Sequence, residues 1–233
     1  MTAVQRHAVF FSPAPDTAWW EFGAYWLGRD EALDTALPPP ALPRIAAKEL
    51  ERITAHPRRY GFHATLKAPF RLREGLGAGD LLARVQALAA ARRAIALESL
   101  LPVYMDGFVG LVPATRNPAL QALADACVQE LDDLRAPLDE TDLALRGADR
   151  LDARGRELIQ RFGYPHVLER FRFHLSLTGP VDVALGDRVV AQLARPLTQL
   201  NAIAPPRLDR LCIFLEPAPK APFLRVADVV LPP

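Results

Sequence analysis

Two stretches of the chain can be laid over one another without a gap, and each carries an imidazole and a hydroxyl two residues apart. Residues 59–70 read RYGFHATLKAPF and residues 170–181 read RFRFHLSLTGPV. Arg59, Phe62, His63, Leu66 and Pro69 meet Arg170, Phe173, His174, Leu177 and Pro180, while Tyr60 faces Phe171 and Thr65 faces Ser176. That is five identities in twelve positions, where average composition yields about one. Imidazole titrates near neutrality, so a pair can serve as one base and one acid. Two hydroxyls can donate hydrogen bonds to the non-bridging oxygens of a phosphate. Lys67 or Arg172 can offset the negative charge that grows at phosphorus in a transition state. A nucleophilic triad does not fit, because a Ser two residues from its His on one strand is not placed beside that base.

Strand geometry sorts these side chains, since successive residues point to opposite faces. In the first copy Phe62, Ala64 and Leu66 share one face and His63, Thr65 and Lys67 the other. In the second, Phe173, Leu175 and Leu177 oppose Arg172, His174, Ser176 and Thr178. Each strand is half core and half polar, and a duplicated lobe would bring the two polar faces together across a cleft. Arg59 and Arg170 fall on the opposite phase and are expected to brace the fold. Tyr60 is also off phase but can reach a cleft from the strand end. His166, just after Tyr164-Pro165, is kept as an accessory candidate. His7 and His56 have no matched partner and are expected to be structural or exposed.

The elements that must position these strands follow from periodicity and punctuation. A strand is expected at His7–Phe11, then a helix from Thr17 to Leu27 capped by Asp16 and closed by Gly28. On that helix Trp19, Phe22 and Trp26 are at core spacing, and Trp20 or Tyr25 is the better cleft wall, with Arg29 beyond it within reach of an anion. A proline-rich loop covers 38–43, and a short helix 45–54. After the first motif, Gly75, Gly77 and Gly79 break the chain before an amphipathic helix at 80–93. Strands at 95–105 and 107–112 join through Asp106-Gly107. Asn117-Pro118 opens a helix to about Leu134. Two short helices fit 135–163. A strand at 171–178, a helix near 186–194 and strands at 209–215 and 223–230 complete the chain. Mixed elements with hairpin neighbours imply an α+β fold with antiparallel pairing. Either the loop at 37–43 or the segment at 135–163 can cover a cleft.

Composition narrows the function classes. Half the 233 residues are hydrophobic, 24% are charged, and the net charge is +1. A protein that coats long nucleic acid carries more positive charge, whereas a small anionic ligand needs only a few local cations. The two cysteines, Cys127 and Cys212, are far apart and read as buried thiols. No metal site or cofactor is expected, and no glycine-rich phosphate loop of either common type occurs. The N-terminal residues lack the layout of a signal peptide and no run reaches membrane-span length, so a cytoplasmic protein without membrane contact is expected.

The paired H-x-[ST]-h motif resembles that of the 2H phosphoesterase superfamily. The strings RYGFHATLKAPF, WLGRD, RAPL, GYP and RFRFHLSLTGP are similar to its bacterial branch associated with phosphonate-utilisation operons (DUF1045-like), over nearly the whole chain. The resemblance implies a single bilobal domain spanning 1–233, a pseudo-duplicate with two antiparallel sheets flanking a central cleft and helices outside, its lobes joined by 135–163. It implies a phosphoric diester hydrolase that works without metal on a small phosphodiester, a sugar or nucleotide cyclic phosphate, for which a ribose cyclic phosphate of phosphonate metabolism is one case. His63 and His174 would be catalytic, His174 as base and His63 as acid, with the reverse left open. Thr65 and Ser176 would hold the phosphate, with Lys67, Arg172, Tyr60 and His166 as accessories. Three rivals stand beside it: processing or ligation of a short RNA end, a non-catalytic nucleotide or sugar-phosphate binding protein, and a metal hydrolase, for which the two histidines supply too few ligands.

Overall fold

The computed structural model describes residues 5–233. In chain order the elements are β1 (Arg6–Phe11), α1 (Ala18–Leu27), the hairpin β2 (Arg29–Asp30) and β3 (Thr35–Ala36), α2 (Ala47–Arg58), β4 (Ala64–Phe70), α3 (Ala78–Ala90), β5 (Ile95–Ala96), β6 (Leu100–Met105), β7 (Phe108–Pro113) and α4 (Pro118–Glu130). Then come α5 (Glu140–Leu145), α6 (Ala153–Phe162), β8 (Leu175–Ser176), α7 (Val183–Ile203), β9 (Arg207–Leu208), β10 (Arg210–Glu216) and β11 (Leu224–Val230), with single 3-10 turns at Asp132–Leu134, Ala148–Arg150 and Leu168–Arg170. The fold is α+β, and every strand pair is antiparallel.

Two sheets frame the molecule, in the orders β11-β10-β1-β4 and β6-β7-β8. Each draws strands from both sides of residues 135–163, so the sheets do not divide at that segment as a sequential pair of lobes would. β1 lies between β10 and β4 because Ala8, Phe10, Cys212 and Phe214 bury one face with Phe223 while Val9, Phe11 and Ile213 bury the other in the main core. That core runs on through Val109, Leu111, Leu175 and Leu177 of the second sheet. The motif phases are as expected on the apolar side: Phe62, Ala64, Leu66, Phe173, Leu175 and Leu177 are all buried.

Several local expectations shift. Thr17, not Asp16, caps α1, its hydroxyl accepting the Trp20 N–H, and Asp16 takes a positive φ of 61° one residue earlier. The strand expected at 171–178 is paired only at Leu175–Ser176. The helix expected at 186–194 runs from Val183 to Ile203, straight through Pro196, because the stripe Leu185, Val189, Leu193 and Leu197 continues past the proline. That burial outweighs the hydrogen bond a mid-helix proline removes.

α1 is drawn tightly onto the first motif. A methyl group on Gly23 would meet the Phe62 ring at 2.0 Å. Its Trp26 indole donates to the Leu177 carbonyl at 2.8 Å, and Gly179 N–H donates to the Ile53 carbonyl of α2. One helix pair therefore braces both motifs.

Candidate functional site

Each motif histidine stands one residue ahead of an edge strand. β4 closes one side of the first sheet, β8 one side of the second, and the two strands abut. His63 Nδ1 lies 2.9 Å from the Gly61 carbonyl and His174 Nδ1 lies 2.8 Å from the Arg172 carbonyl. A carbonyl only accepts, so Nδ1 carries the proton in both neutral rings and Nε2 is left free for chemistry. Gly61 reaches this position with φ +79°, and a side chain there would strike Glu31. Thr65 Oγ1 lies 3.3 Å from His63 Nε2.

The two rings have different surroundings. The His63 ring centre lies 3.9 Å from that of Phe10, the planes tilted by 30°, with Tyr60 at 5.9 Å and Phe214 at 6.3 Å. Burial there pulls its pKa from 6.5 down to about 4; the Gly61 carbonyl opposes the fall and the charge on His174 adds to it. His174 sits 5.4 Å from Phe108. It is also lowered by burial, against the Arg172 carbonyl and Asp106.

A cleft of about 570 Å³ opens along the free edge of β4, walled by α4, the β6–β7 turn and the segment entering β8. Thr65, Phe108, Tyr164, His166, Arg172 and His174 line it. His63 is not among the lining residues; it touches Thr65, which is. Ser176 is half-buried beyond the lining, paired with Gly110 on β7. Neither 37–43 nor 135–163 contributes to the wall.

The accessory candidates separate. Arg172 is at the rim, 74% exposed, in an ion pair with Asp106 at 3.3 Å. His166 is exposed on the wall, edge-on to Tyr164 at 5.4 Å. Its pKa is lowered by desolvation and then by the positive charges of Arg170, His174 and Arg172. Tyr60 backs His63 from behind: its ring stacks on Phe223 at 4.9 Å and its hydroxyl accepts from Arg59 at 3.0 Å.

Lys67 is not on the histidine face. Thr65 pairs with Phe10 but Lys67 pairs with Val9, one residue short of regular alternation. The bulge at Leu66 turns Lys67 to the core side, where its ammonium donates to the Val128 carbonyl at 3.0 Å and to Asp132 at 3.2 Å. Thr178 is likewise buried and accepts the Val109 N–H. Arg29 and Trp20 are structural too: Arg29 donates to the Arg58, Arg59 and Phe223 carbonyls, and the Trp20 indole to Glu31.

Sequence reasoning missed Met105, Phe108 and Tyr164 as walls. Tyr164 lies in the GYP string and Phe108 follows the Asp106-Gly107 turn, so a signal existed for both. Among the described residues, no cluster of three or more His, Cys, Asp or Glu is placed to hold a metal ion, and no helix is long and apolar enough to cross a membrane.

Two curated proteins are similar over almost all of the chain. Ribose 1,5-bisphosphate phosphokinase PhnN of Janthinobacterium sp. (strain Marseille) is 39% identical over 226 residues, 95% of this chain and 50% of that protein. The protein of the same name from Laribacter hongkongensis (strain HLHK9) is 36% identical over 219 residues, 94% of this chain and 50% of that one. The chain spans about half the length of the curated relatives it matches. A phosphokinase is a transferase, so these names overturn the expected assignment as a phosphoric diester hydrolase. Residues 65–224, which contain Thr65, His174 and Ser176, with His63 two residues ahead, match the family described as "Protein of unknown function (DUF1045)", and the chain belongs to that family.

Proposed function

We propose that the paired-histidine cleft seats a phosphate of a phosphorylated ribose and moves a phosphoryl group between oxygens by acid–base catalysis, as part of phosphonate metabolism. The observation that carries this reading is the matched pair: two imidazoles just ahead of abutting edge strands, each with Nδ1 fixed on the carbonyl two residues back. Membership of the 2H superfamily, and a single bilobal domain over 1–233 built from pseudo-duplicated lobes, belong to the same proposal. The relatives' printed names supply the substrate class. A cleft of about 570 Å³ suits one sugar phosphate rather than a run of nucleotides. A phosphokinase also needs a seat for the donor's phosphates. This chain carries neither common glycine-rich loop, so the proposal gives it the ribose-phosphate site and not the nucleotide site.

In this mechanism His63, held neutral at pH 7 by its aromatic enclosure, takes the proton of the attacking hydroxyl on Nε2 as the new P–O bond forms. His174 binds a proton when the anion arrives, because a nearby negative charge favours the imidazolium, and returns it to the leaving oxygen as the old P–O bond breaks. One proton is gained and one lost, and neither transfer needs a metal. These roles reverse those implied by the resemblance. Thr65 donates to a non-bridging oxygen, and Arg172 supplies charge at the rim.

Phosphorus NMR on ribose 5-phosphate and ribose 1,5-bisphosphate, each with and without a second ribose as acceptor, tests the reading. New ester resonances are expected, slowed about 100-fold or more in His63→Ala and in His174→Ala. Turnover within about tenfold of the parent in both variants refutes it. One observation favours a second reading, a sugar-phosphate sensor: both imidazoles are displaced toward the neutral form, leaving no acid until an anion binds. Ligand-induced stabilisation without turnover would establish that reading.

A further inference from the structure

Arg146 differs from the other arginines of its burial class. Among the described residues, the half-buried or buried arginines 6, 29, 59, 71, 92, 135, 154, 170, 210 and 225 each have a carboxylate partner. Arg58 has none, but its donors go to the Leu27 and Glu51 carbonyls and Thr54. Arg146 makes one hydrogen bond, from Nη2 to the Pro69 carbonyl at 2.7 Å. Its other N–H groups have no protein partner among the described residues. Asp142, the acid that most favours its charge, is bonded to Arg71 at 2.7 Å, and Arg6 and Arg135 add positive potential. Burying a cation without an anion is costly, and burial does press this guanidinium toward its neutral form.

Its surroundings connect it to the cleft. The guanidinium lies 5.8 Å from the centre of the Tyr164 ring, and Tyr164 is a cleft wall. Tyr164 therefore stands between the cleft, which it lines with His174, and a guanidinium with one hydrogen-bond partner among the described residues. Arginine's planar fork matches a phosphate.

We infer that Arg146, beside Tyr164, seats a second anionic group of the substrate, so that the class taken is a ribose bearing two phosphates, one at the histidines and one here. The inference rests on the histidine-cleft reading above and adds a specificity-determining residue to it.

Calorimetric titration of ribose 5-phosphate and ribose 1,5-bisphosphate tests it, using the parent, Arg146→Met, Arg146→Lys and the His63→Ala/His174→Ala double variant. The parent is expected to bind the bisphosphate at least tenfold more tightly than the monophosphate. Arg146→Met should bring that ratio close to one, Arg146→Lys should keep part of it, and the double-histidine variant should keep a preference for the bisphosphate. Because the lost cation had no carboxylate partner among the described residues, the melting temperature of Arg146→Met should hold or rise. A ratio unchanged in Arg146→Met overturns the inference, as does a fall of several degrees with the ratio intact, which marks a brace. Loss of turnover in the histidine variants alongside an unchanged Arg146→Met ratio defeats only this inference. An Arg146-dependent ratio with histidine variants as active as the parent defeats only the cleft reading. A parent that binds neither sugar defeats both.

Discussion

Acidification offers a direct test of the environment assigned to His63. The folded ring titrates near 4 and the unfolded one near 6.5. Above about pH 6.5 the group is neutral in both states and contributes nothing. Between 6.5 and 4 the unfolded chain binds a proton that the folded chain refuses, so stability falls as pH falls; below about 4 both states are protonated and the loss levels off. Each pH unit of displacement is worth about 1.4 kcal/mol, which puts the full loss at roughly 3 kcal/mol, and about 2–3 kcal/mol is expected because the ring keeps some contact with water. His63→Gln removes the titrating group while leaving every other ionisable residue in place, including His7, whose burial also lowers its pKa. Urea unfolding followed by tryptophan fluorescence at pH 7, 6, 5 and 4 would give the stability of both proteins. The parent should lose about 2–3 kcal/mol more than the variant over that range. A gap that stays constant to within about 0.5 kcal/mol would refute the enclosure, and with it the assignment of His63 as the neutral partner. Saturating inorganic phosphate should flatten the parent's slope, because an anion beside the ring favours its protonated form.

Other substitutions separate structure from chemistry. Lys67→Met keeps the aliphatic stem and leaves Asp132 bonded to Arg135 at 2.9 Å. It should cost about 1–3 kcal/mol, a fall in melting temperature of about 2–10 °C, with ligand affinity within about threefold; an unchanged melt with a large loss of affinity would put the ammonium in the cleft after all. Gly23→Ala places a methyl group 2.0 Å from the Phe62 ring. Overpacking should outweigh the gain in helix propensity and destabilise by about 1–3 kcal/mol, partly rescued by Phe62→Leu, and a variant more stable than the parent would show that the contact is slack. Arg172→Ala breaks an ion pair whose partners are both 74% exposed, so the melting temperature should move by less than about 2 °C; a larger drop would mean the pair is structural.

Much of the candidate site is legible in the linear chain. The pairing of His63 with His174 and of Thr65 with Ser176 needs only an alignment of the chain with itself. The burial of Phe62, Leu66, Leu175 and Leu177 follows from alternation, which is a local property. Lys67 is misread by that same rule, because it assumes an unbroken strand. The bulge at Leu66 exists only where β4 meets β1, and one extra residue puts Lys67 on the opposite face until a second register shift, before Phe70, returns the strand to its original phase. Arg146 gives no sequence signal: in a polar segment it looks like any solvated charge, and its significance comes from Pro69, Tyr164 and Arg6 around it.

The division between the two sources of information follows the range of the forces involved. Helix and strand periods and the chemistry of each motif depend on residues within a few positions of one another, so residue order alone announces them. Which strands pair does not. β1 takes β10, about two hundred residues away, as one neighbour, because two apolar faces are buried at once only in that arrangement. The different environments of two identical imidazoles have the same origin. Phe10 and Phe214 reach His63 through that pairing, so the enclosure that lowers its pKa is assembled from groups that residue order does not bring together.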